Sequence, residues 1–228
     1  MNKLLDTSYP LAEKFKSLAP GTFQHCLNVA NLCETIAKEL DLNIENIKLA
    51  AMYHDIGKIF NPQYFAENIS DTNPHDNIDP HVSYQVLTRH VSDSVTILIQ
   101  EQEMPREVLE IIVRHHGDTI LQAIYNKCDK TKVQEHSYRY KTPKAHCTEA
   151  CVLMIVDSIE AKARALNSAG KLETHDEKTL CVTSTIEYLR EDQQLDEMKV
   201  GILRRIKQIL VRELDSIYHA RISYEKDE

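Results

Sequence analysis

Apolar residues recur at three- and four-residue intervals along most of this 228-residue chain, and almost nowhere do they alternate in twos. That periodicity predicts one amphipathic helix after another and argues against a sheet. Phe23, Cys26, Leu27, Ala30, Cys33, Ile36, Ala37 and Leu40 mark one such helix, with Thr22 as its expected N-cap. Asn43 is expected to cap the next, in which Ile44, Ile47, Ala50, Ala51 and Tyr53 lead into His54-Asp55 before Gly57 weakens or ends it. Residues 61–80 carry Pro62, Pro74 and Pro80 among Asn, Asp and Ser. They predict a loop with at most one short turn, long enough to be functional, leading to a segment that ends in His90. Asp93 is expected to cap a further helix, Pro105 to occupy the first turn of another, and Gly117 to close that one just after His115-His116. Residues 127–146 read as irregular and polar. Helical pattern returns over 148–166, with Asp157 in its middle, and again over about 175–190 and 196–222.

With 42% hydrophobic residues, the chain can bury a core within one unit, so the expected fold is all-α: a single domain over 1–228 with a helical extension at its C-terminal end. No run of eighteen uninterrupted apolar residues exists, and the stretch Met1-Asn2-Lys3-Leu4-Leu5-Asp6 lacks the apolar segment of a secretory signal, so no membrane span is expected and the location is expected to be cytoplasmic. The six cysteines form no C-x-x-C pair; Cys147 and Cys151, one helical turn apart, read as a core pair rather than a metal site. A net charge of −8 without a dense Lys/Arg run disfavours long nucleic acid as a partner. A small anionic substrate stays compatible with it if bound cations supply positive charge.

Seven imidazoles and carboxylates fall within or at the ends of these helical segments: His25, His54, Asp55, His90, His115, His116 and Asp157. Divalent ions such as iron, manganese or zinc accept nitrogen and oxygen donors together, and one carboxylate can bridge two of them. The expected grouping is His25, His54, Asp55 and Asp157 around one ion, and Asp55, His90, His115 and His116 around the other, with Asp55 as the bridge. Two ions roughly 3.5–4 Å apart can share a hydroxide whose pKa falls toward about 7, and can clamp both the attacking and leaving oxygens of a phosphoryl displacement. Asp55 is therefore a candidate catalytic residue. Lys58, four residues after His54, is a second, either gripping a substrate phosphate or standing as a solvated lysine at a helix end.

Each ligand also has a structural explanation. A single His25 on a helix is more often a satisfied core histidine. His90 and the 115–116 doublet suit helix C-termini, where a positive ring complements the dipole. Asp157 could pair with Lys162 or Arg164. Jointly, the metal reading accounts for more, because an acid among Val152, Leu153, Ile155, Val156 and Ile159 demands a partner. His75, His81, His136, His146, His175 and His219 lack such a setting; His75 and His81 are the natural decoys if their loop folds toward the site.

His25, the His54-Asp55 dyad and Asp157 resemble the H…HD…D signature of the HD-domain metal-dependent phosphohydrolases, and His90 with His115-His116 resembles the two-metal branch. Segments along nearly the whole chain are similar to the intracellular HD domain of membrane-anchored cyclic-di-AMP phosphodiesterases of the PgpH type. They include Tyr53-His54-Asp55-Ile56-Gly57-Lys58, Glu67-Asn68, Asn73-Pro74-His75-Asp76, Arg139-Tyr140, Asp157-Ser158-Ile159-Glu160-Ala161 and Ile217-Tyr218-His219-Ala220-Arg221-Ile222. The resemblance implies an HD-domain helical bundle with a catalytic core over about 20–168 and C-terminal helices over about 175–222. It implies two divalent ions, often iron or manganese, that cleave a cyclic dinucleotide to a linear one with a 5′-phosphate. Lys58, Arg139 and Tyr140 become candidate substrate contacts, although Lys141-Thr142 stands where the family usually has Pro-Gly. The cyclic-di-GMP branch ranks lower, because its Gly-Tyr-Pro element has no counterpart after His115-His116-Gly117. A single-metal nucleotide phosphatase and a catalytically silent HD signalling module are the remaining alternatives.

Overall fold

A computed structural model describes residues 2–69, 72–101 and 103–218. It is helical throughout, and among the described residues the only β-pairing is one isolated bridge between Ile120 and Arg139. Helix α1 (Pro10–Leu18) has no counterpart in the sequence reading; it buries Leu11, Ala12 and Phe15, and Phe15 meets Phe23 edge-on at 5.5 Å. Helix α2 (Pro20–Leu40) opens on a proline, whose missing N–H costs nothing in the first turn. Thr22 is not its cap, because it lies inside the first turn. The side chain of Asn68, far along the chain, accepts from the N–H groups of Gly21 and Thr22 at 3.0 and 3.2 Å and so caps α2 from a neighbouring loop. Gly21 permits that approach, since a Cβ there would sit 1.9 Å from the Glu67 carbonyl oxygen.

Asn43 does cap α3 (Ile44–Tyr53), accepting from the Asn46 N–H. The helix ends at Tyr53, and after His54-Asp55 the chain tightens into a 3-10 turn over Ile56–Phe60. The loop that follows holds three short 3-10 turns, Pro62–Tyr64, Ala66–Asn68 and Pro74–Asp76, where one at most was expected. Helix α4 (Pro80–Leu98) corrects two expectations at once: His90 does not end a helix and Asp93 does not begin one. The buried stripe Tyr84, His90, Val91, Ser94 and Leu98 runs without interruption through both, and Asp93, half-buried beside Gly57, pairs with Arg89 one turn earlier. Packing of α4 on the 3-10 turn depends on Gly57: its N–H donates to Ser94 Oγ at 2.8 Å, and a Cβ would lie 2.2 Å from the His90 carbonyl oxygen.

Pro105 stands just before α5 (Arg106–Val113) instead of within it, and His115-His116 follow the helix in a turn that Gly117 completes at φ +54. The 127–146 region is less polar than its composition suggests. With α6 (Gln122–Tyr125) and a 3-10 turn at Glu135–Tyr138, it buries Tyr138, Tyr140 and Ala145, and Tyr138 packs with Tyr84 and Ile124. Helix α7 (Thr148–Ser168) runs through the middle of the molecule with eleven buried residues, Asp157 and Glu160 among them. Helix α8 (His175–Glu191) starts on a capping box between Thr174 and Glu177. Helix α9 (Val200–Ile217) begins four residues later than expected, and the expected extension to 222 passes outside the described residues. One contiguous apolar cluster runs from Leu4 to Leu214, so Val182, Ile186, Ile206 and Leu210 of the C-terminal helices share the core that Val29, Ile47 and Ile155 build. No described helix is long and apolar enough to cross a membrane.

Candidate metal centre

Five segments deliver side chains to one buried point: α2 brings His25, the end of α3 brings His54 and Asp55, α4 brings His90, the turn after α5 brings His115 and His116, and α7 brings Asp157. Two sets result, His25, His54, Asp55 and Asp157 in one, Asp55, His90, His115 and His116 in the other, with the donor atoms of each set within 4.8 Å of one another. Asp55 belongs to both. Its Oδ2 lies 3.4 Å from His54 Nε2 and 3.9 Å from His25 Nε2, whereas its Oδ1 lies 3.1 Å from His90 Nε2 and 3.8 Å from His115 Nε2. Asp157 approaches His25 at 2.9 Å and His54 at 3.6 Å through Oδ1, and His116 at 4.0 Å through Oδ2.

Local structure fixes which nitrogens face inward. Nδ1 of His54 donates to the Ala51 carbonyl at 2.8 Å, Nδ1 of His90 to Leu87 at 2.5 Å, and Nδ1 of His115 to Ile112 at 2.6 Å. A carbonyl only accepts, so each ring has a proton on Nδ1 and, in its neutral form, presents the Nε2 lone pair to the centre. Helical turning supplies all three bonds, because each partner lies three residues back. As a result His54 Nε2, His90 Nε2, His115 Nε2 and Asp55 Oδ1 are buried with no hydrogen-bond partner among the described residues. The 3.1 Å approach of His90 Nε2 to Asp55 Oδ1 is thus one lone pair facing another. Four converging acceptors without a donor form an arrangement that costs roughly 1–3 kcal/mol per orphaned group unless a cation satisfies them. This donor set fits a divalent metal, and HD domains bind such ions.

The charges agree with that fit. Burial opposes ionisation of Asp55, but Lys58 and His54 hold its carboxyl well below the usual range. Asp157 is held low in the same way, by His25 and His54 against its burial. Burial and the neighbouring His54 push His115 down to about 3, and burial with His115 lowers His116, so both rings are neutral and available as donors. His25 differs. Burial would lower it, yet hydrogen bonds to Asp157 and Glu160 outweigh burial and raise it to about 10.

Lys58 is not a solvated helix-end lysine. Its Nζ lies 2.7 Å from Asp55 Oδ2 and 2.9 Å from Glu67 Oε1, and it sits 4.7 Å from the Phe65 ring centroid. Tyr140 is buried and stacks on His116 at 4.3 Å. Arg139 is directed elsewhere: its guanidinium donates to Asp192 at 2.6 Å, Glu135 at 2.8 Å and the Asp118 carbonyl at 2.9 Å. Neither Lys162 nor Arg164 pairs with Asp157; Lys162 donates to Ser184 and Arg164 approaches Glu160 at 3.6 Å. Both decoy histidines stay outside the two sets. His75 donates through Nε2 to the Tyr64 carbonyl at 2.8 Å, and His81 is exposed near the start of α4. His136, His146 and His175 are exposed, and His219 lies outside the described residues.

Glu160 and Glu67 escaped the sequence reading as site residues. Glu160 is 3% exposed and accepts from His25 Nδ1 and, at 3.0 Å, from Asn28 Nδ2. The signal was present: Glu160 follows Asp157 by three residues, on the same face of an apolar helix. Glu67 offered only its place in a quoted motif, since nothing local shows that it meets Lys58.

Comparison with known proteins adds family context. The chain is 34% identical over 234 residues to the cyclic-di-AMP phosphodiesterase PgpH of Listeria monocytogenes and 32% identical over 227 residues to that of Bacillus subtilis, covering 99% and 97% of this chain. It spans about a third of either relative's length, 31% in each case. A crystal structure of the Listeria PgpH HD domain in complex with cyclic-di-AMP superimposes with a TM-score of 0.86 at 34% identity, over 95% of this chain and 100% of that one. The family model described as HD domain matches residues 22–162, which take in all seven inward-facing imidazoles and carboxylates, and on that match the chain belongs to the HD domain family.

Proposed function

We propose that this chain is a metal-dependent phosphodiesterase that opens a cyclic dinucleotide, with cyclic-di-AMP as the best substrate, to a linear dinucleotide bearing a 5′-phosphate. The observation that carries the reading is the quartet of orphaned acceptors around Asp55, whose two oxygens face separate histidine groups. That division supports two ions, for which Asp55 would be the shared ligand, and the mixed imidazole and carboxylate donors would suit iron or manganese. When bound, such a pair lowers the pKa of water and neutralises charge on phosphoryl oxygens.

The chain's own residues set up the rest. Main-chain carbonyls hold three rings in one tautomer, so no reorganisation is needed at the moment of reaction. Lys58 holds Asp55 in place at 2.7 Å and Glu67 at 2.9 Å, and its ammonium keeps a third hydrogen that a phosphate oxygen can meet. His116 and Asp157 are the most exposed of the seven, with side chains 22% and 12% accessible against 3% or less for the others, so substrate enters on their side. Burial of the remaining donors excludes bulk water. Names borne by the Listeria and Bacillus relatives, and the ligand in the Listeria complex, support cyclic-di-AMP over other dinucleotides.

A single-metal nucleotide phosphatase would use only one of the two sets. The test is a screen of protein reconstituted with manganese or iron against cyclic-di-AMP, cyclic-di-GMP, linear dinucleotides and mononucleotides. Preferential conversion of cyclic-di-AMP to its linear form is expected. Release of inorganic phosphate from mononucleotides, with cyclic substrates left intact, overturns the reading.

A further inference from the structure

Beside the exposed edge of the centre lies a cavity of about 330 Å³, walled on one side by His116 and Tyr140 and on the other by residues of α7 and α8. Its chemistry is divided. Ile120, Leu121 and Leu189 with the ring of Tyr188 make an apolar surface, whereas Ser158, Lys162 and Ser184 make a polar one. Tyr188 is 43% exposed, unusual for an aromatic ring on a helix that packs against the core. Lys162 donates to Ser184 Oγ at 2.8 Å and joins no ion pair among the described residues. The Ser158 hydroxyl, next in sequence to Asp157, likewise has no partner among them. An ammonium with a single neutral acceptor, on a cavity wall of a chain with net charge −8, is placed for an anion.

Resting on the phosphodiesterase reading, we infer that this cavity receives the half of the dinucleotide that does not react, with its phosphate at Lys162 and its base against Tyr188. Continuity with the centre is the reason: the cavity begins at His116 and Tyr140, which stack at 4.3 Å and face the side on which a phosphodiester can enter. A planar base suits an aromatic ring beside aliphatic side chains, and a phosphate suits a lysine flanked by hydroxyls. Helix α8, which lies beyond the matched HD segment, thereby supplies part of substrate selection. Arg139 cannot take the phosphate role without giving up Asp192.

The experiment compares kcat/KM for cyclic-di-AMP with kcat/KM for bis(p-nitrophenyl) phosphate, a diester with no second nucleotide, in wild type, K162A, K162R and Y188A. The ratio cancels any loss of folded or metal-loaded protein. K162A is expected to lower it about tenfold or more, the worth of a hydrogen bond to a charged group, through KM and not kcat. Y188A should act in the same direction, and K162R should restore most of the ratio. Ratios within twofold of wild type in both K162A and Y188A overturn the subsite. A wild type that turns over bis(p-nitrophenyl) phosphate but not the cyclic dinucleotide overturns the substrate reading and the subsite with it.

Discussion

Glu160 accepts the Nδ1 hydrogen of His25, whereas His54, His90 and His115 give theirs to main-chain carbonyls. A carboxylate makes the imidazole a stronger donor than an amide oxygen does, so the two sets of side chains are electronically unequal. Glu160→Gln keeps the size of the side chain and removes its charge. We expect it to weaken one ion of the pair by about 10–100-fold while the other is retained, as read by metal titration with elemental analysis. Equal loss of both ions, or of neither, would show that the contact does not tune the His25 position.

Lys58 stands between Asp55 and Glu67, with its side chain 13% exposed and theirs 2% and 8%. Lys58→Met leaves two buried carboxylates without their counter-charge, and breaking such a pair costs about 3–5 kcal/mol. A divalent ion held beside Asp55 would replace part of that positive charge. The drop in thermal midpoint should accordingly be larger after chelation than in manganese-loaded protein; an identical drop in both states would contradict the electrostatic account.

Against its burial, hydrogen bonds to Asp157 and Glu160 raise His25 from its ordinary 6.5 to about 10. Its folded pKa is raised, so its contribution to stability is complete below about pH 6.5 and is lost as pH climbs through about 10. A metal needs the ring's lone pair, so binding at pH 8 must displace the His25 proton. Calorimetric titration of apo protein with manganese in buffers of different ionisation enthalpy should report that proton release, and Glu160→Gln should reduce it. Buffer-independent heats at pH 8 would rule it out.

Gly57→Ala would put a methyl 2.2 Å from the His90 carbonyl oxygen and 2.5 Å from the Ser94 nitrogen, both main-chain atoms that cannot swing aside. Overpacking of this kind costs about 1–3 kcal/mol. For a chain of this size each kcal/mol lowers the thermal midpoint by about 2–4 °C. Because His90 is the displaced element, the variant should also bind metal more weakly. A variant with unchanged midpoint and metal content would mean that α4 yields freely.

Helix periodicity made α2, α3, α5, α7 and α8 legible, because each has an unbroken apolar stripe next to a cap or a glycine. It fails at α4, where His90 and Asp93 look like boundary residues but lie on one continuous helix, because a buried stripe outweighs helix-end chemistry there. Thr22 misled for a related reason. Its hydroxyl donates to Glu67 and its N–H to Asn68, and no local rule reveals a cap provided from another loop. The grouping of seven imidazoles and carboxylates was readable because such residues are conspicuous on apolar helices. Their tautomers, the part of Glu160 and the commitment of Arg139 to Asp192 were not, since each depends on contacts between distant segments.

The close seat of α4 on the turn after Asp55 has a wider consequence. The hydrogen atom of Gly57 works like the thinnest washer between two machined parts, and it lets α4 bring His90 to within 3.1 Å of Asp55 Oδ1. How near His90 stands to Asp55 is therefore governed at a position that has no functional group at all. A survey of variants that scores only polar side chains would pass over it.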